Sequence, residues 1–138
     1  MNTPRTLLLV WFVASSLFAS LARADEASYA KILKERDAVL SQIVAQRESL
    51  FAIGTTDGEA LQAARLALWS FRRDTATTKE GKIAHQESIV GLYEKNLADL
   101  KARARTGVVG SDAVLLATDS LLQAQQTLEE LRTDRKTG

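Results

Sequence analysis

Few side chains in this 138-residue chain could do chemistry, and they are scattered. The single histidine, His85, has Lys82 and Glu87 near it on a helical stretch. A transition-metal centre needs two or more nitrogen or sulfur ligands converging. This chain has no cysteine, and its one methionine is Met1. His85 therefore reads as solvent-facing or partly packed, and no metal and no cofactor is expected. Ser-His-Asp chemistry would need that histidine poised in a cleft beside a nucleophile. The acidic pairs Glu129-Glu130 and Asp57/Glu59 have no opposing group and no glycine-rich phosphate loop with them. No catalytic residue is assigned, and the chain is not expected to be an enzyme.

Two clusters fit contact better than catalysis. Lys101, Arg103 and Arg105 gather before Gly107, where a helix dipole favours positive charge by roughly 0.3–1 kcal/mol per group; alternatively they face anionic lipid or an acidic partner. Trp69, Phe71 and the run Arg72-Arg73-Asp74 have the aromatic-plus-arginine composition of interface hot spots. Aromatics on a helix seam also serve as core, and both readings stand at this point.

The elements that must position these groups are helices. After Asp25 the chain is rich in Ala, Leu, Gln, Glu, Lys and Arg and contains no proline, which favours helix over sheet. The segment before it reads differently. Arg5 follows the lone Pro4, the stretch 6–21 is apolar except for its serines, and Ala22-Arg23-Ala24 offers small residues on either side of one position. That is a secretory signal, with residues 1–24 removed and residues 25–138 forming one helical domain. A membrane anchor would want roughly 18 or more uninterrupted apolar residues. Cleavage takes Arg5 and Arg23 from the 18 basic groups and leaves 16 against 17 acidic ones. A chain so balanced offers no nucleic-acid surface. With no cysteine, an exported protein of this size must rest on helix packing alone.

Spacing places the helices at about 28–53, 57–73, 78–106 and 111–134. In the first, Tyr29, Ile32, Leu33, Val39, Leu40, Ile43, Val44, Leu50, Phe51 and Ile53 recur at helical intervals. Gly54 stops it, and Thr56-Asp57-Gly58-Glu59 reads as a capping box opening the second. The seam Leu61, Ala64, Leu68, Phe71 then loses phase across Arg72 to Glu80, resuming at Ile83, Val90, Tyr93, Leu97 and Leu100. A break with a second box at Thr77-Thr78-Lys79-Glu80 is favoured over a continuous stutter. The last helix turns at Gly107 and Gly110, is capped by Ser111, and carries Val114, Ala117, Leu121, Ala124, Leu128 and Leu131 at three-four spacing. The fold class is all-α: an antiparallel helical hairpin within a three- to four-helix, coiled-coil-like bundle.

The order Arg105, Gly107, Val114-Leu115, Ala117, Leu121-Leu122, Ala124, Leu128 resembles the return-helix signature of TolC-like outer-membrane efflux proteins. It covers residues 97–131 and departs from that pattern at Ala113, usually Asp, and Thr118, commonly Gln. A set of short secreted helical proteins of unknown role shares this tail and is closer in length. The resemblance implies an accessory role in an outer-membrane efflux assembly, although full TolC-like chains carry two hairpins and barrel strands, and here there is room for about one hairpin. The residues themselves point to a periplasmic, non-enzymatic interaction protein that self-associates or pairs with other helical envelope proteins. An envelope metal or stress sensor is a third reading, weakened by the missing ligands. Mass spectrometry of the protein recovered from its host is expected to find Asp25 at the N-terminus; a chain beginning at Met1 overturns the signal reading.

Overall fold

The computed structural model describes residues 7–133, with side chains from Asp25 onward. Four helices follow in order: α1 Leu7–Ala52, α2 Gly58–Thr75, α3 Lys79–Arg105 and α4 Ser111–Thr133. Among the described residues there is no strand, and the fold is an all-α bundle. No helix of the described residues is long and apolar enough to cross a membrane. The chain divides into two compact units, Met1–Ala38 and Val39–Gly138. The first contains the beginning of α1, and the second contains the end of α1 with α2, α3 and α4. The expected signal segment 1–24 and its cleavage site fall outside the residues whose side chains are described.

Helix α1 starts earlier than the expected residue 28, at Leu7. The reason is plain in the sequence: between Pro4 and Gly54 there is neither proline nor glycine to interrupt it. Both long helices that end at glycine end in the same way. Gly54 has φ +73° and Gly107 φ +74°, a left-handed conformation that costs glycine no Cβ clash. Around them Thr55 N–H donates to Leu50 O and Gly54 N–H to Phe51 O; Val108 N–H donates to Arg103 O and Gly107 N–H to Ala104 O. These paired bonds are Schellman closures that satisfy the last carbonyls of each helix.

The interruption between α2 and α3 is a true break, with Ala76 extended at φ −62°, ψ 132°. The caps correct the box readings by one residue. Asp57, not Thr56, caps α2, its Oδ1 accepting from Ala60 N–H at 2.8 Å. Thr78, not Thr77, caps α3, its Oγ1 accepting from Gly81 N–H at 3.1 Å. Glu59 and Glu80 consequently sit inside the first turn, where the positive end of the dipole favours them, and do not reach back to a cap amide. Ser111 is likewise the first residue of α4 and not the residue before it.

Helix α3 is central, its backbone lying close to both α2 and α4. Pairings show that neighbours run antiparallel: Arg65 meets Glu48 and Arg72 meets Ser41 between α2 and α1, Arg73 meets Gln86 between α2 and α3, and Gln86 and Lys79 meet Ala124 and Arg132 between α3 and α4. The core is Ile89, Val90, Ala124 and Leu128, with Leu66, Trp69, Ile83, Tyr93 and Leu121 packed against it.

Because capping passed from Thr56 to Asp57, Asp57→Ala is expected to cost about 1 kcal/mol and Thr56→Ala a few tenths at most. Thermal denaturation followed by circular dichroism measures both, and equal losses would contradict the assignment.

Candidate interaction surfaces

The α4 seam and the aromatic pair of α2, singled out by spacing, are all at least half covered inside the second unit. Ala117, Ala124 and Leu128 of α4 are buried, and Val114, Leu121 and Leu131 are half-buried. The alanines let α4 approach α3 closely. Phe71 is buried, whereas Trp69 is half-buried. Trp69 lies against the core cluster, stacks at 5.6 Å on the His85 ring with a 31° tilt, and carries the Arg72 guanidinium 5.3 Å from its centroid. That geometry is a cation–π contact at the α2–α3 interface within the chain. Phe71 is thus used inside the chain, and Trp69 in part. Gly107, Gly110 and Ser111 form the α3–α4 turn, beside an apolar recess lined by Lys101, Ala104, Arg105, Ser111, Val114 and Leu115. Of the basic cluster there, Arg103 reaches Asp99 at 3.9 Å across one helical turn.

Sequence reasoning passed over the most buried side chain of all. Gln86 is 1% exposed. Its Nε2 donates to the Ala124 carbonyl at 2.8 Å, and its Oε1 accepts from Arg73 Nη1 at 2.8 Å. Arg73 is held in turn by Asp74, 2.8 Å from its Nε. The signal was present: three-four spacing through Ile83, Val90, Tyr93 and Leu97 requires a member at position 86, and the residue there is polar. Above Gln86, between α2 and α4, is a cleft of about 190 Å³ bordered by Ser70, Arg73, Tyr93, Ser120 and Gln123. Small-molecule sites typically measure ~300–1,000 Å³, so this cleft is undersized for one.

At the far end of the α3–α4 pair Arg132 bonds Glu129 at 2.8 Å and Glu87 at 3.0 Å. The hydrogen bond that Arg132 donates to Glu129 first, then the one it donates to Glu87, raises the guanidinium pKa above its already high ordinary value. Among the described residues no group of three or more His, Cys, Asp or Glu is gathered for a metal ion.

One row on the end of α1 remains partly uncovered. Ser41 and Glu48, one heptad apart on α1, bond Arg72 and Arg65 of α2. Val39, Ile43 and Leu50 lie about 160–200° round the helix from Ser41, at 100° per residue. Val39 is 55% exposed and Ile43 40%; Gln46, between Ile43 and Leu50 on the same row, is exposed as well, while Leu50 is half-buried. Compared with known proteins, the chain matches no family model, no curated protein and no solved structure.

Gln86→Ala removes a buried amide with two partners and leaves a void, and is expected to cost about 2–4 kcal/mol. Gln86→Met keeps the volume and is expected to cost about 1–2 kcal/mol. Urea denaturation of both variants tests the ranking; a neutral Gln86→Ala contradicts the assigned bonds.

Proposed function

We propose that this chain is a non-enzymatic interaction protein of the cell envelope, which works by laying one helix face along another helix. The observation that carries the reading is the division of labour in the second unit. Helices α2, α3 and α4 close a core of their own, yet the end of α1 turns two exposed aliphatic side chains, Val39 and Ile43, away from the side that meets α2. Exposed apolar surface in a stripe marks a place where something else docks. The cleft beside Gln86 is smaller than a typical small-molecule site, which suits contact better than turnover.

Export to the periplasm is part of the proposal and rests on the signal-like N-terminus. An accessory role beside an efflux assembly, on the outer membrane, is the second reading. Its support is the α3–α4 hairpin, whose left-handed Gly107 turn and buried Ala117 and Ala124 occupy the positions on which the TolC-like resemblance was based.

A photo-crosslinking amino acid placed in living cells at Val39, on the uncovered row, is expected to give covalent protein adducts, whereas the same probe at exposed Gln126 of α4 gives few. Absence of any adduct at Val39 overturns the interaction reading. Adducts to an efflux adaptor or pump would favour the second reading, and recovery in the soluble periplasmic fraction the first.

A further inference from the structure

The cleft above Gln86 lies wholly within the second unit, and its two walls offer different chemistry. On the side of α2 and α3 stand Ser70, Arg73 and Tyr93. Arg73 is the only charged residue lining the cleft, and its side chain is 26% exposed. Its Nε donates to Asp74 and its Nη1 to Gln86, which leaves the rest of its N–H groups without a partner among the described residues. The hydroxyls of Ser70 and Tyr93 likewise have no hydrogen-bond partner among the described residues. This wall is a set of unused donors. The opposite wall belongs to α4, where Ser120, Gln123 and Thr127 follow at three-four spacing on one face. Here the hydroxyl hydrogens are already committed: Ser120 Oγ donates to the Leu116 carbonyl at 3.0 Å and Thr127 Oγ to that of Gln123 at 3.1 Å. The Gln123 amide nitrogen donates to Asp119 Oδ2 at 2.6 Å. What the two hydroxyls still offer is their lone pairs, and what Gln123 offers is its carbonyl oxygen. This wall is a set of acceptors.

We infer, independently of any docking on α1, that this cleft binds a small α-amino acid as its zwitterion, with the carboxylate against Arg73, Ser70 and Tyr93 and the ammonium against the α4 wall. A carboxylate has acceptors only, and a guanidinium gives it charge-assisted hydrogen bonds. An ammonium has three donors and no acceptor, which matches the three oxygens of Ser120, Gln123 and Thr127. The Asp119 carboxylate favours positive charge on that side, and by holding the Gln123 amide nitrogen it makes the carbonyl oxygen at the other end a stronger acceptor. Simpler molecules match one wall only. A plain carboxylate satisfies Arg73 and leaves the α4 oxygens facing no donor; a plain amine has no use for the donors and meets a guanidinium of its own sign. A primary amide has acceptor and donor in the right order and lacks the charge that Arg73 would meet. Gln86 forms a floor that does not compete, since both ends of its side chain are already bonded.

The volume agrees with a ligand of that size. Too small for molecules in the usual ligand range, the 190 Å³ cleft has the room of about six waters at ~30 Å³ each. Covalently joined atoms pack more closely than waters, so a molecule of about five to nine non-hydrogen atoms fits. Glycine, alanine and serine fall in that range and phenylalanine does not. Leu66, Ile89 and Ala124, which also border the cleft, give a short side chain apolar contact. So few atoms support only weak binding, and a dissociation constant of roughly 0.1–10 mM is expected.

The test is NMR titration of the isotope-labelled chain, purified in the form found in its cells, with glycine, L-alanine and L-serine, each to about 50 mM at matched ionic strength, above the expected constants. Saturable shifts of the Gln86 and Gln123 side-chain amides and of the Arg73 guanidinium signals are expected with at least one of the three. No saturable shift at the cleft with any of them overturns the inference. Acetate, methylammonium and acetamide, titrated in the same way, are expected to bind at least about tenfold more weakly than the best amino acid. Acetate binding as tightly reveals an anion site, and acetamide binding as tightly an uncharged one; either overturns the zwitterion. That comparison needs no variant. The walls are then tested one group at a time, with circular dichroism to check that the fold is kept. Tyr93→Phe removes a donor and Thr127→Val an acceptor, both at half-buried positions and with little change of shape, and each is expected to weaken binding about five- to tenfold. Gln126→Ala, on α4 outside the cleft, is expected to bind as the unaltered chain does. Undiminished affinity in either Tyr93→Phe or Thr127→Val overturns the two-walled arrangement.

Discussion

The second unit depends on one amide. Gln86 is buried to 1% exposure, so both ends of its side chain must find partners or the fold bears a penalty of about 1–3 kcal/mol for each group left unsatisfied. Both ends do find them, and in different helices: Arg73 of α2 and the Ala124 carbonyl of α4. A leucine at position 86 would bury well in several registers because apolar contact has no direction. An amide that must reach a particular carbonyl on one side and a particular guanidinium on the other admits one axial setting of three helices. The surrounding apolar cluster of Ile89, Val90, Ala124 and Leu128 supplies the driving force, and Gln86 decides which of the near-equivalent slides of helix on helix that force selects.

This division explains what could be read from the amino acids. The number and order of helices followed from proline-free stretches, glycine stops and three-four spacing, all of which are local or nearly local. The left-handed turns at Gly54 and Gly107 were legible because glycine has a conformational reason to be there. Gln86 was not, because a polar residue on an apolar seam looks like a lapse in the pattern until the neighbouring helices supply a carbonyl and a guanidinium. The caps failed by one residue for a related reason. Thr56-Asp57 and Thr77-Thr78 each offer two adjacent acceptors, and an acceptor three residues before an available amide succeeds; Ala60 and Gly81 made Asp57 and Thr78 the winners. At Gly81 the choice is reinforced by space, since a Cβ there would stand 2.9 Å from the Thr78 hydroxyl.

Half-buried Trp69 shows that a residue of interface composition also makes contacts inside the chain. Its ring faces His85 on one helix and is covered by Arg72 from its own. Aromatic-plus-arginine describes a binding hot spot and an internal helix contact equally well, because the same desolvated cation–π geometry stabilises both. The sequence is silent on which side of the bundle surface the pair falls. Packing alone determines that, through the turn at Ala76, which brings α3 back along α2.

Exposed leucines are ordinary on soluble proteins, and the difference between them and a docking face lies in arrangement. Leu115, Leu116 and Leu122 of α4 are all well exposed, yet Thr118 stands between Leu115 and Leu122 on their shared row, and Leu116 is followed on its own by Asp119. On the end of α1, Val39 and Ile43 are one turn apart on one face and both exposed. A row of that kind costs solubility at each apolar position while it is bare, and helix propensity gives no reason for isoleucine and valine there, since both form helices less readily than the alanines and glutamines used elsewhere in this chain. Their β-branched stiffness is a benefit only where a side chain inserts between those of a neighbouring helix, as at seam positions of paired helices. The choice of residue types at Val39 and Ile43 therefore agrees with the proposal that a second helix lies there.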